Sequence, residues 1–217
     1  LTGFPLAFAN AQTPPLAAYS FEEGAGLTTA DVSGNGKTGT LSNGPLWTTG
    51  IYGNALSYDG TNDYVSISNT LDISSLPFTI SAWVNPTNYN DYRNIIGKRD
   101  TWSASDMRFN LVLSSSDGHV MLQQPNSDLH FSYAPPANSW TYLAVVADST
   151  GTKLYANGTL QQTLSVFTLG SDSAAQVRIG TNADGPDAFL GKIDDLRIYN
   201  RALTQSEIQT DMNTPLP

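Results

Sequence analysis

Residues 78–84 alternate strictly, with Phe78, Ile80, Ala82 and Val84 on one side and Thr79, Ser81 and Trp83 on the other, the period-two pattern of a half-buried strand. Residues 107–113 repeat it: Met107, Phe109, Leu111 and Leu113 face a core, and Arg108 and Asn110 face away. Asp117-Gly118 then marks a type I′ hairpin into a strand at 120–123, which sends Gln123 to the same outward side. Similar runs predict strands at 16–21, 64–67, 94–98, 140–148, 153–160, 176–180 and 189–199, with 50–58 leading into another and Asn157-Gly158 forming a second hairpin turn. A helical signal comes only afterwards, where Thr204 followed by Glu207 forms a capping box that opens a short helix from 205 to about 212. About a dozen short strands, with turn signals roughly every 8 to 12 residues and no βαβ alternation, predict an all-β antiparallel sandwich whose terminal strands are neighbours.

Composition narrows the chemistry. The chain has 217 residues, 40% of them hydrophobic, enough for one large all-β domain. A net charge of −9 excludes nucleic-acid binding, which needs clustered Lys and Arg, and argues against anionic membrane surfaces. The absence of cysteine removes disulfides, zinc thiolates and thiol nucleophiles together. No run of about 18 apolar residues predicts a membrane-spanning helix. The acidic, cysteine-free, Gly/Asn/Thr-rich composition is that of an exported bacterial protein, secreted or at the cell surface. Residues 1–15 read as a linker or N-terminal extension, with a signal-peptide remnant as the alternative, and residues 16–217 as the domain.

Three oxygen-bearing side chains, Asp31, Ser33 and Asn35, stand at alternate positions ahead of Gly36, the opening spacing of a calcium loop. Its twelfth position is Ser42, so a cation wanting six to eight oxygens needs a distant carboxylate. Pairing of the terminal strands would bring Asp194, with Asp195 beside it, to that loop. Glu22 and Glu23 either face the same cation or are solvated turn residues, and the loop itself has a plain reading as a polar turn. Between strands, residues 85–93 are rich in Asn and Tyr. Rings that stack on a pyranose beside amides and guanidinium that bond its hydroxyls make Tyr89, Tyr92 and Arg93 candidate glycan contacts, with Trp102 as a further aromatic and Arg108, Asn110 and Gln123 added from the outward positions. Trp83 is either a ligand platform or covered core; if it is open, Arg108 and Asn110 share its face. His119 and His130 are separated in sequence and have no acid at ligand spacing, so both read as structural.

Five stretches taken together resemble a known family: 18–24 with 31–36; 53–60 with Asp63, Tyr64 and Val65; 78–84; 140–158; and 191–203. In order and spacing they are similar to the laminin-G-like jelly rolls of the concanavalin A-like lectin/glucanase superfamily, over about residues 16–213. The resemblance implies two curved antiparallel sheets, a calcium ion near one edge, and use as an accessory module of secreted multidomain proteins. Carried over residue by residue, Asp31, Asn35 and Asp194 match the calcium ligands best, with Glu22, Ser33 and Asp195 as further candidates.

Some members of that superfamily are glycosidases or lyases. A glycosidase needs two carboxyls flanking one bond, and no Glu-x-Asp-x-x-Glu segment is present. A lyase-like set of Tyr92, Arg108 and His119 is the minor alternative. The expectation is a non-catalytic, calcium-binding, carbohydrate-binding module whose partners are a glycan and other modules of its polypeptide. The alternative is a structural or adhesion domain that binds calcium but no glycan.

Overall fold

Strict alternation buries one side of each strand, and two such sheets cover each other's apolar side. The structure is a computed structural model and describes residues 13–67, 71, 73–99, 107–171, 175–182 and 187–217. One sheet runs in the order β14 (Thr159–Leu164), β13 (Gly151–Ala156), β12 (Thr141–Asp148), β7 (Phe78–Pro86), β16 (Leu190–Tyr199), β5 (Asn54–Asp59) and β4 (Leu46–Thr49). The other runs β11 (Leu129–His130), β10 (Val120–Gln123), β9 (Met107–Leu113), β8 (Arg93–Arg99), β15 (Val177–Ile179), β6 (Tyr64–Ile67), β3 (Gly39–Ser42) and β2 (Thr28–Thr29). All pairings are antiparallel, and β1 (Ala17–Tyr19) joins the far half of β16, Ala18 opposite Arg197. The expected all-β sandwich with neighbouring terminal strands is therefore present.

Between the sheets, Phe78, Ile80 and Val84 of β7 meet Phe109, Leu111 and Leu113 of β9, all fully buried or nearly so. Phe78 contacts Phe109 at 6.3 Å and Phe167 edge-on at 5.7 Å between ring centroids. Each such ring, fully buried, contributes about 1.5–3 kcal/mol.

The outer side of the first sheet is covered by helix α1 (Gln205–Asn213). Its capping box forms as expected: the Glu207 N–H donates to Thr204 Oγ1 at 3.3 Å and the Thr204 N–H donates to Glu207 Oε2 at 2.7 Å. Ile208 and Leu203 pack on Tyr142, Ala144, Val146 and Tyr199, with Trp83 and Met212 at the margin. Trp83 is thus covered rather than a platform, edge-on to Tyr142 at 5.4 Å. Arg108 and Asn110 do not share its face. They lie on the other sheet, whose outer side looks the opposite way, because alternation tells which side of its own strand a residue occupies and not which sheet the strand joins.

Candidate functional site

Asp31 holds its own loop. Its Oδ1 accepts the N–H groups of Ala18 and Ser33 at 3.0 Å each, and Oδ2 accepts that of Lys37 at 2.9 Å. Burial alone would raise its pKa, but the Ser33 side chain and the three amides outweigh that and hold the carboxyl below its usual range. Asn35 Nδ2 donates to the carbonyls of Pro15 and Leu16 and to Ser33 Oγ, each at 3.2 Å. The loop is stitched to β1 and to the residues before it, and both Asp31 oxygens already accept backbone N–H groups.

The second group of predicted acids surrounds residues 50–54. Asp194 Oδ2 accepts the N–H of Ile51 at 2.9 Å and of Tyr52 at 3.3 Å. Glu22 accepts the N–H of Asn54 at 3.2 Å on one oxygen and 3.1 Å on the other. A Cβ at Gly50 would fall on Asp194 Oδ2 and the Asn54 carbonyl, and one at Gly53 on the Glu22 carboxylate, so only glycine lets this loop approach the acids. Where β16 bulges against β7, Asp195 adopts φ 47°, and two consecutive acids leave the strand's regular alternation. Asp195 pairs with Arg197 at 3.4 Å and accepts the N–H of Leu216 at 3.2 Å.

Burial, with Asp195 as a neighbouring charge, pushes the Asp194 carboxyl up to about 7. Burial also raises Asp195 to about 6, despite the opposing Arg197 guanidinium. Asp194 Oδ1 is buried with no hydrogen-bond partner. That orphaned anionic oxygen beside a second acid is the one place in the predicted ligand set that fits a hard cation. Among the described residues, Glu22, Asp31, Asp194 and Asp195 do not bring three carboxylate oxygens within 4.8 Å of one another, so main-chain oxygens or water would have to complete any such shell.

Two clefts of about 580 Å³ each share Thr87. The first is lined by Asn88, Tyr89, Asn90, Ser115, Ser116 and Ala137. The second passes Asn85, Asn138, Asp59, Leu190 and Lys192. The Asn- and Tyr-rich loop lines the first cleft, while Ser115, Ser116 and Asn138 reach the clefts from other loops and carried no sequence signal. Tyr89 donates through its hydroxyl to the Pro135 carbonyl and presses its ring on Gly118, and burial pushes its hydroxyl up to about 12. It is a wall of the cleft rather than a free stacking platform.

The other predicted sugar contacts lie elsewhere. Arg93 is buried and donates to Asn88 Oδ1 at 3.0 Å and to the Ala188 carbonyl at 3.2 Å. Arg108 is 9% exposed and donates to the carbonyls of Ile73, Ser74 and Gly170. Asn110 is fully buried, with Nδ2 donating to Gln123 Oε1 at 2.8 Å, and Gln123 Nε2 donates to Asp128 at 3.2 Å. Arg108, Asn110 and Gln123 are outward on their strands, as expected, but loops and neighbours consume their polar groups. Tyr92 is half-buried at the start of β8 and lines neither cleft. Trp102 lies outside the described residues.

A laminin-G family model, described as the concanavalin A-like lectin/glucanases superfamily, matches residues 59–209. No curated protein matches the chain in sequence. Among solved structures the chain is similar to domain 4 of AbnA, an extracellular arabinanase from Geobacillus stearothermophilus in complex with arabinotriose, with 22% identity, TM-score 0.73, and coverage of 92% of this chain and 98% of that one. It is also similar to the binding domain of Paraclostridial Mosquitocidal Protein 1, with 17% identity, TM-score 0.72, and coverage of 92% and 52%. The binding domain of botulinum neurotoxin serotype D is a third likeness, at 18% identity, TM-score 0.70, and 92% and 51% coverage. At these identities the likeness is one of fold, and the chain spans about half the length of the two toxin domains.

Proposed function

The chain belongs to the concanavalin A-like lectin/glucanase superfamily, and from that membership we propose that it is a non-catalytic carbohydrate-binding module of an exported multidomain protein. The observation that carries this reading is the pair of clefts that share Thr87, whose amides and hydroxyls offer donors and acceptors to a neutral sugar. Asp59 is the only carboxylate among the described lining residues, one short of the pair that glycoside hydrolysis needs. Amides and hydroxyls outnumber rings in the lining, and the Tyr89 hydroxyl is already engaged with Pro135, so the clefts read hydroxyl patterns more than ring faces, and affinities of a weak, avidity-dependent kind are expected.

Calcium belongs to the same proposal. Asp194 would hold it, with Glu22 and Asp195 as the accompanying acids, and the ion would supply the charge that two buried carboxylates lack. This differs from a shell centred on Asp31, whose oxygens already serve amides.

A second reading, a protein-contacting module without a glycan, is favoured by Leu27 and Leu46, which are 73% and 69% exposed. Titration calorimetry with arabinotriose and a panel of other neutral oligosaccharides separates the two. Saturable binding that Asn90→Ala weakens supports the sugar groove. Absence of heat with every sugar at millimolar concentration, with and without calcium, removes it.

A further inference from the structure

Three side chains that are scattered in sequence converge at one edge of the second sheet. Asp117 and His119 sit on the turn between β9 and β10, and His130 sits on β11, where it faces Met121 in the ladder. Asp117 Oδ2 is 3.2 Å from His119 Nδ1 and 3.7 Å from His130 Nε2, and the three donor atoms lie within 4.8 Å of one another. Sequence separation had argued against any histidine site. It is the pairing of β10 with β11 that closes the gap.

The spacing suits a particular class of ion. Bonds of about 2.0–2.1 Å to nitrogen and oxygen in tetrahedral geometry place neighbouring donors roughly 3.3 Å apart, and the two measured separations bracket that value. Two imidazoles and one carboxylate form a borderline donor set, suited to zinc and its first-row neighbours. It is too poor in oxygen for calcium, which takes six to eight.

The carboxylate is also aimed. Asp117 Oδ1 accepts the hydroxyl of Ser114 and the N–H of His119 at 3.0 Å, leaving Oδ2 for the imidazoles. Such support of a ligand's far oxygen is what orients metal-binding carboxylates. The imidazole rings stand edge to face at 5.4 Å and 68°, so they do not stack flat on each other. The side chains are 35–45% exposed, which leaves an ion a path in and makes the bare ion pairs worth little by themselves.

We propose that Asp117, His119 and His130 form a binding site for a divalent transition metal of the zinc class, clasping the short edge strand β11 to the β9–β10 turn. The site is separate in residues and in donor chemistry from the calcium position proposed at Asp194. Three protein ligands leave a fourth position open to solvent.

The test is titration calorimetry of the metal-stripped full chain with zinc chloride, paired with nitrogen-resolved NMR of the two imidazoles. One equivalent of zinc is expected, shifting both the His119 Nδ1 and His130 Nε2 resonances, while calcium at the same concentration leaves them in place. Asp117→Asn, His119→Ala and His130→Ala are each expected to weaken zinc binding by about 100-fold, and Ser114→Ala, which keeps all three ligands, by about tenfold. Circular dichroism of each variant checks its fold, and the wild-type NMR titration stands whether or not a variant folds. Zinc affinity unchanged across the variants, a shift of only one imidazole, or no binding below millimolar zinc would each overturn the site.

Discussion

Asp194 accepts the backbone N–H of Ile51 at 2.9 Å across 143 positions of sequence, while its other oxygen is buried with no partner. An ion bound there only in the folded state adds stability by mass action, about 2.7 kcal/mol at a hundredfold excess over Kd. For a domain of this size that is a rise of about 5 to 10 °C in Tm. Thermal melts with chelator and with added calcium are expected to differ by that amount, and Asp194→Asn is expected to abolish the difference. Identical melts would remove the cation from Asp194.

The acids also set opposing pH dependences. Asp194 and Asp195 are raised by burial to about 7 and about 6 from an ordinary 3.8. An acid raised in the folded state contributes stability fully below the unfolded value and loses it as pH climbs through the folded one. Asp148 is the reverse case. The Lys153 ammonium at 2.8 Å and then Thr150 hold it down to about 2, so its contribution is present above about 3.8 and lost as pH falls toward 2. In chelator, Tm is expected to peak near pH 4 to 5, with Asp194→Asn flattening the neutral limb and Asp148→Asn the acidic one. A peak above pH 7 in chelator would contradict these assignments.

Arg108 is expected to matter for stability and not for sugar. Its guanidinium bonds three carbonyls from two loops, Ile73 with Ser74 and Gly170. Arg108→Met would leave buried acceptors unsatisfied, a loss of about 3 kcal/mol in denaturant unfolding. Sugar affinity per folded molecule should stay the same; a loss of affinity with full stability would return Arg108 to the ligand set.

Asn90 is the converse case. It is exposed on the wall of the first cleft, with its backbone N–H donating to Asn88 at 3.2 Å. Removing one neutral hydrogen bond to a ligand costs about 1 kcal/mol, or roughly fivefold in affinity. Asn90→Ala should lower sugar affinity by that factor with Tm unchanged, read by calorimetry and melting together.

How far the sequence could be read depended on whether a feature is local. Strand β9 and the Thr204–Glu207 cap are encoded within a few residues, and they appear where periodicity and capping chemistry put them. A hairpin does form at Asp117-Gly118, but through residues 114–119 with positive φ at Ser116 and Gly118 rather than at Asp117, so it is not the type I′ turn the dipeptide predicts. Strands β2, β3, β4 and β11 were not read: β2 and β11 have two residues, too few to display a period, and β4 fully buries neither of its sides. The segment read as one strand at 153–160 is two, β13 and β14, folded at Asn157-Gly158, the turn the dipeptide had marked. The 85–93 loop, singled out for its amides and rings, lines the first cleft. Which polar side chains stay free was not legible, since Arg93 and Arg108 are occupied by loops distant in sequence and Asn110 by Gln123 of the neighbouring strand.

The sequence by itself determined the all-β sandwich, the strand periodicities and the capped terminal helix, because each rests on side-chain patterns that repeat at short range. Tertiary structure alone decided which polar groups meet. It assigned Trp83 and Arg108 to opposite outer faces, gave the Asp31 oxygens to amides, left Asp194 Oδ1 unsatisfied and closed Asp117, His119 and His130 into one cluster. The reason is physical: a buried donor or acceptor takes whichever partner the packing delivers, and strand order, which no short window of residues encodes, decides what is delivered.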